Sequence, residues 1–346
     1  MIKVGILGAT GYAGIEVVRL LLSHPEVEIT HIVSKSFAGQ KISDIYQNLK
    51  GICDLECSSL NIEETAEKCD VVFTALPHGA SKEVIPSLYE KGLKIIDLSG
   101  DFRYNDVNIY EKWYGMPHEA PELLKKSVYG LCELHRDEIK SHRLVGNPGC
   151  YTTCSILGLA PLVAEKIVDN KSIIIDAKSG VTGAGRGASL PSMFCECTES
   201  MKAYKVATHR HTSEIEQELS LIAHEDIMLS FTPHLAPMKR GILATCYANL
   251  TTSTTTEDVV EIYKDFYKNE KFVRIYDAGK LPEINHISGS NYAAIGIVVD
   301  ERLSRVIVVS CIDNLVKGAA GQAIQNMNLI CGFPEDTGLL NAGLYL

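Results

Sequence analysis

The chain is 346 residues long, about twice an ordinary domain of ~150 residues, which points to two domains. Its composition, 46% hydrophobic and 22% charged, excludes a disordered or fibrous protein. The net charge of −10 argues against binding nucleic acid through bulk charge, so any anionic ligand must meet a locally basic site.

Residues 1–8, MIKVGILG, carry one cation and a short apolar run. They read as a strand rather than a signal peptide, and the chain is expected to stay in the cytoplasm. Directly after the strand comes Gly8-Ala9-Thr10-Gly11-Tyr12-Ala13-Gly14, a G-x-x-G-x-x-G turn leading into a helical pattern over 15–22. Glycines at that spacing allow a tight turn, close approach of the backbone to a pyrophosphate and close helix-on-strand packing, while the helix N-terminus presents oriented amides. Gly8, Thr10, Gly11, Tyr12, Ala13 and Gly14 are therefore candidate dinucleotide contacts. At the end of the next strand, 27–33, an acidic residue would accept the ribose hydroxyls of NAD. Ser34 and Lys35 stand there instead, and a hydroxyl beside a cation suits the 2′-phosphate of NADP.

Further strands at 70–76, 93–98 and 143–146 alternate with a helical pattern at 81–90, the mark of a parallel sheet with covering helices. The fold class is α/β: a Rossmann-type NADP domain, 1–148 with 314–346, and a mixed-sheet α+β second domain, 149–313. Asp101-Phe102-Arg103 follows the 93–98 strand and offers Arg103 to a carboxylate or phosphate.

The stretch 144–164 is uncharged for a membrane-spanning length, but Asn147, Pro148, Gly149, Gly158 and Pro161 interrupt it, so it reads as buried. Within it, Gly146-Asn147-Pro148-Gly149-Cys150-Tyr151-Thr152-Thr153 places a thiol after a strand and at the start of an apolar helix. A helix N-terminus stabilises a thiolate, which makes Cys150 the candidate nucleophile. Cys154, one turn further on, reads as a packing residue, and Asn147 as a substrate contact. The chain's 11 cysteines are expected as thiols. Neither Cys53/Cys57 nor Cys195/Cys197 has a zinc spacing, so no metal site is expected.

Beyond Cys150 come a helix to about 166, a strand at 172–178, a helix at 214–223, strands at 227–231, 242–250, 295–299 and 306–311, and a helix over 315–329 that returns to the first domain. The Thr/Ser run 251–256 reads as a surface turn ending in a helix cap before Glu257. The glycine-rich loop from Lys178 to Arg186 follows a strand and brings amides and a guanidinium to an anion. Ser179 and Gly180 are read as cofactor contacts there and Arg186 as a substrate contact. His209-Arg210-His211 precedes a helix, and a histidine titrates near working pH. His211 ranks first as acid/base and His209 as a substrate or supporting contact, although spacing does not choose between them. Lys239, in Pro237-Met238-Lys239-Arg240, is another basic candidate for the substrate's phosphate or carboxylate.

A dinucleotide cradle and an activated thiol in one chain suggest an acyl-enzyme redox cycle, because a thioester accepts hydride better than a carboxylate does. The segments GATGYAG, DLSGDFR, NPGCYTT, SGVTGAGR, HRHTSEI and DNLVKGAAGQAIQNMN together resemble the N-acetyl-gamma-glutamyl-phosphate reductases, relatives of the aspartate-semialdehyde dehydrogenases. The likeness runs from Gly8 to Asn328. It implies Cys150 as nucleophile, one of the HRH histidines as acid/base, and Asn314 beside the nicotinamide. It also implies NADPH as cofactor, a dinucleotide domain completed by the C-terminal helix, a catalytic and dimerisation domain, and a homodimer or homotetramer. The implied reaction is reductive dephosphorylation of N-acetyl-L-glutamyl 5-phosphate in arginine biosynthesis. Aspartate-semialdehyde dehydrogenase or a carrier-protein aminoadipyl-phosphate reductase would use the same cysteine chemistry. A non-catalytic NADP-sensing regulator and a cysteine hydrolase are the readings from other classes.

Overall fold

The computed structural model describes residues 1–345. Its contacts divide into two units, Met1–Gly149 with Ala319–Leu340, and Cys150–Gly318 with the tail that starts at Asn341.

The first unit holds six parallel strands: β1 (Ile2–Leu7), β2 (Val27–Val33), β3 (Val71–Thr74), β4 (Lys94–Asp97), β5 (Val128–Tyr129) and β6 (Leu144–Gly146). Their order is β2-β1-β3-β4-β6-β5. β3 is buried throughout, as a strand covered on both faces must be, and its VVFT run is correspondingly apolar. The chain leaves β1 to one side for β2 and returns on the other side as β3. That reversal puts the topological switch point, where such sheets bind ligands, at the C-terminal end of β1.

The last helix of this unit, Gly321–Cys331, is buried from Gly321 to Ile330 although it contains two glutamines and two asparagines. Those amides are bonded: Gln322 and Asn326 donate to the Gly130 carbonyl, each at 2.8 Å, and Asn326 also donates to Asn147 Oδ1 at 3.0 Å. Buried amides are tolerated when paired in this way. The segment expected as one α-helix from 315 is not uniform. It opens as a π-turn, Val316–Ala320, in which Gly318 N–H donates to the Asp313 carbonyl five residues back.

The second unit is built on β7 (Ile174–Gly180), β8 (Lys202–Ala203), β9 (Ser230–Ala236), β10 (Ile242–Asn249), β11 (Val273–Ile275), β12 (Ala293–Asp300) and β13 (Arg305–Ile312). Their order is β11-β12-β13-β10-β7-β9-β8, with both parallel and antiparallel pairs. β10 alternates buried and part-exposed residues without exception, so Ile242, Ala244, Cys246 and Ala248 face the covered side. Helix Cys150–Ala164 packs against that sheet, every residue from Tyr151 to Val163 being buried. At 15 residues it does not span a bilayer, and among the described residues no helix is long and apolar enough to do so.

The strand expected at 227–231 lies further on, at Ser230–Ala236, and runs through Pro233. β9 is next to the edge, flanked by a strand of only two residues, so the missing proline N–H forfeits little of the ladder. Helix Thr256–Phe266 begins, as the Thr/Ser run suggested, at a cap: the Thr255 side chain accepts from Asp258 N–H and the Asp258 carboxylate accepts from Thr255 N–H.

Candidate active site

The glycine turn sits at the C-terminal end of β1. Gly8 has φ +86°, and a Cβ there would lie 2.3 Å from the Ala75 carbonyl oxygen. A Cβ on Gly14 would lie 2.2 Å from the Gly8 oxygen. Both contacts are with backbone, so both positions require glycine. Gly11 differs, since a Cβ there would meet only the Gly8 oxygen at 3.5 Å. Helix Tyr12–Leu21 follows with no side chain capping its N-terminus, leaving the amides around Tyr12, Ala13 and Gly14 at an open helix end. Such a turn fits a pyrophosphate. Beside it, Thr10 Oγ1 and Ser34 Oγ share a 2.7 Å hydrogen bond, both residues being buried. Lys35, next in the chain, is exposed.

Cys150 is the first residue of its helix and is part-exposed, unlike the 13 residues that follow. Cys154 is fully buried, donates to the Ser310 carbonyl at 3.2 Å, and has its pKa pushed up to about 12, chiefly by burial. The two thiols of one helix therefore have opposite environments. Beside Cys150, Tyr151 hydroxyl donates to the His234 carbonyl at 2.8 Å. Burial raises the Tyr204 hydroxyl to about 12.

His209 and His211 lie in the same cluster. Their rings meet edge-on at 4.7 Å, and Tyr151 stands edge-on to both, at 5.8 and 6.0 Å. His209 also contacts Tyr204 at 5.5 Å and Phe231 at 5.5 Å. His211 N–H donates to His209 Nδ1 at 3.1 Å, which leaves the His209 proton on Nε2. Helix His211–Ala223 is locked to the cysteine helix by Thr152 Oγ1, which donates to Glu214 Oε1 at 2.8 Å. Both residues are fully buried. Tyr204, Glu214 and Thr152 are functional neighbours that sequence reasoning passed over. Glu214 and Thr152 lie inside the HRHTSEI and NPGCYTT segments, whereas only folding brings Tyr204 in.

The glycine loop and the turn after β9 are tied together. Thr182 donates to the Lys239 carbonyl through Oγ1 at 2.6 Å, and Val181 N–H donates to the Met238 carbonyl at 3.0 Å. Gly180 N–H donates to Gly241 at 2.9 Å, and a Cβ on Gly180 would strike the Lys239 carbonyl oxygen at 2.6 Å. Ser179 is buried, its hydroxyl 3.0 Å from the Gly180 carbonyl. Arg186 and Lys239 are exposed on these two joined segments. Asn314 fastens them: its Oδ1 accepts from Gly241 N–H at 2.8 Å and its Nδ2 donates to Thr182 Oγ1 at 3.0 Å.

Two further substrate candidates, Arg103 and Asn147, belong to the first unit, where both bond backbone carbonyls. Arg103, only 4% exposed, donates to the carbonyls of Asn147 at 2.6 Å and Leu98 at 2.9 Å. Asn147, 1% exposed, donates to the Ala319 carbonyl at 3.1 Å and accepts from Asn326. Both hold the strand end that leads to Cys150.

Residues 3–142 match the model of the semialdehyde dehydrogenase NAD binding domain, and residues 150–314 match that of the semialdehyde dehydrogenase dimerisation domain. An N-acetyl-gamma-glutamyl-phosphate reductase of Acetivibrio thermocellus is 62% identical over 346 residues, covering all of both chains. One from Caldicellulosiruptor saccharolyticus is 54% identical over 345 residues, again covering both chains fully. Among solved structures, aspartate semialdehyde dehydrogenase II of Vibrio cholerae complexed with ASA superposes with a TM-score of 0.72 at 17% identity, over 96% of this chain and 98% of that one. Aspartate semialdehyde dehydrogenase with NADP from Candida albicans gives 0.71 at 19% identity, with 96% and 98% covered. At those identities the likeness is one of fold.

Proposed function

The chain belongs to the N-acetyl-gamma-glutamyl-phosphate reductase family, and from that premise we propose how its own residues carry the reaction. It is an oxidoreductase that uses NADPH to convert N-acetyl-L-glutamyl 5-phosphate to N-acetyl-L-glutamate 5-semialdehyde and phosphate, a step of arginine biosynthesis. The observation that carries the mechanism is the part-exposed Cys150 heading an otherwise buried helix, with two histidines edge-on to the ring of its neighbour Tyr151.

Cys150 thiolate attacks the acyl carbon, the acyl–oxygen bond to phosphate breaks, and a thioester remains on the protein. Amides of the helix's first turn face the oxyanion that develops on the acyl oxygen. The Gly8–Gly14 cradle and Lys35 would hold NADPH, which would supply the hydride that brings the acyl carbon to the aldehyde level. His211 provides and recovers the proton as the carbon–sulfur bond breaks and the thiolate returns, with His209 holding its backbone. Arg186 and Lys239 balance charge on the substrate's anionic groups.

Cys150→Ser is expected to bind NADP as the parent does and to lose reduction by roughly a thousandfold or more. Turnover near the parent's would overturn the covalent route. Compared on three acyl phosphates, the parent is expected to reduce N-acetylglutamyl 5-phosphate fastest, ahead of aspartyl and carrier-bound aminoadipyl phosphates; another ranking would overturn the substrate assignment.

The sheet of the second unit leaves one face half covered, with Ile174, Asp176 and Lys178 of β7 beside Tyr247, Thr245 and Leu243 of β10. We assign this face to the contact between copies in a homodimer or homotetramer. Support comes from the matching model, which is that of a dimerisation domain. Sedimentation as a monomer at micromolar concentration would contradict it. The reaction is placed in the cytoplasm, whose reducing conditions suit 11 cysteines with no disulfide among the described residues.

A further inference from the structure

At the end of β13, Asp313 is completely buried. Its Oδ1 accepts from the N–H groups of Leu315 at 2.8 Å and Val316 at 3.1 Å. Its Oδ2 accepts from Gly289 N–H at 2.7 Å and lies 3.6 Å from Nη1 of Arg240. A carboxylate withdrawn from water is costly unless compensated, and these donors with the guanidinium compensate it. The same residue reaches the nucleophile. Its carbonyl accepts from Gly318 N–H at 2.9 Å, and Gly318 lies so close to Cys150 that a Cβ on it would be 2.8 Å from Cys150 Cβ. Asn314, the next residue, fastens the glycine loop to the turn that bears Arg240. One dipeptide step thus fixes Arg240, the glycine loop and the start of the cysteine helix.

Arg240 is held from the inside by this buried carboxylate and is 31% exposed on its outer side. Lys239 is built differently: it is exposed, and its tie to the site runs through its backbone carbonyl. A planar guanidinium drawn to a buried carboxylate is pre-organised to take a further oxyanion, whereas a flexible ammonium must lose rotamer freedom to do the same.

We propose that Arg240 is the anion anchor of this site, gripping a terminal oxyanion of the acyl phosphate, either its carboxylate or its phosphoryl group, and that Asp313 is the positioning residue that sets the guanidinium. The proposal rests on the acyl-enzyme reading above.

The parent enzyme is assayed first: without NADPH oxidation on N-acetylglutamyl 5-phosphate, the functional reading itself falls. With an active parent, Arg240→Gln, Arg240→Lys and Asp313→Asn are run in the reverse direction, varying the semialdehyde and inorganic phosphate separately. In Arg240→Gln the KM of one of these two reactants is expected to rise about 10- to 100-fold, as for loss of a charge-assisted hydrogen bond, with kcat changed only a few-fold. Arg240→Lys should recover part of the loss, and Asp313→Asn should raise the KM of the same reactant by less. A rise for the semialdehyde identifies the carboxylate, and a rise for phosphate identifies the phosphoryl group. Both KM values unchanged or moved equally, or a fall in kcat alone, in Arg240 variants with the parent's circular dichroism and NADP affinity, would overturn the proposal. Should Asp313→Asn not fold, the Arg240 pair decides.

Discussion

His209 meets a proton on different terms from a surface histidine. Burial first, and then the positive charges of Lys205 and Arg210, hold its pKa down to about 4. At neutral pH the ring is uncharged, and a group so weakly basic is poorly matched to shuttling protons near pH 7. This supports His211 as the acid/base and His209 as its support. The same shift ties stability to pH. In the unfolded chain the group titrates at its ordinary 6.5, so between pH 6.5 and about 4 the unfolded state binds a proton that the folded state refuses. Folding stability therefore falls as pH drops through that window, by at most ~3 kcal/mol from this residue. His209→Gln should flatten the urea midpoint against pH between 6.5 and 4, and parallel profiles for variant and parent would contradict the shift. Cys150 was legible in the sequence because its signal is local: a strand, a proline-glycine pair and an apolar helix. The ring contacts of Tyr204 and the Asp313–Arg240 ion pair were not, because they depend on folding rather than on a local pattern. The bonds of Arg103 to the Leu98 and Asn147 carbonyls were hidden too, since a cation after a strand looks the same in sequence whatever it bonds.

The glycine turn shows what an element can fix. A methyl at Gly14 would strike the Gly8 oxygen and lie 2.8 Å from Ala9 Cα, backbone atoms with nowhere to move. Gly14→Ala is expected to lower Tm by roughly 5 °C or more and to weaken NADP binding at least tenfold. Gly11→Ala, whose methyl would make only an ordinary contact with the Gly8 oxygen, should leave Tm near the parent's. Calorimetry and an NADP titration read both, and an unchanged Tm and affinity in Gly14→Ala would contradict the tight packing. Longer elements were readable: β10 by its period, and β2 and the cysteine helix by their long runs of strand-forming or apolar residues. β5, β8 and β11, of two or three residues, contain too little sequence for any period to register. The π-turn at Val316–Ala320 was hidden; the close approach of Gly318 to Cys150 that accompanies it is tertiary.

At the scale of the whole molecule, the change at Cys150 from βα alternation to mixed strands and helices announced two units, and each forms its own sheet. The return of the last helix to the first unit was less obvious, since QAIQNMN has no clean apolar stripe. It is buried because Gly130 and Asn147 answer its amides. The thiol, both histidines, Arg240 and the glycine loop all fall within the second unit, so the residues proposed for the covalent half of the reaction lie in one compact body. That makes it directly observable. Protein mixed with N-acetylglutamyl 5-phosphate without NADPH, quenched within milliseconds and weighed by mass spectrometry, should carry an N-acetylglutamyl thioester on the peptide containing Cys150, with one equivalent of phosphate released per site. Full turnover with no such adduct, or an adduct on another side chain, would contradict covalent catalysis at the start of this helix.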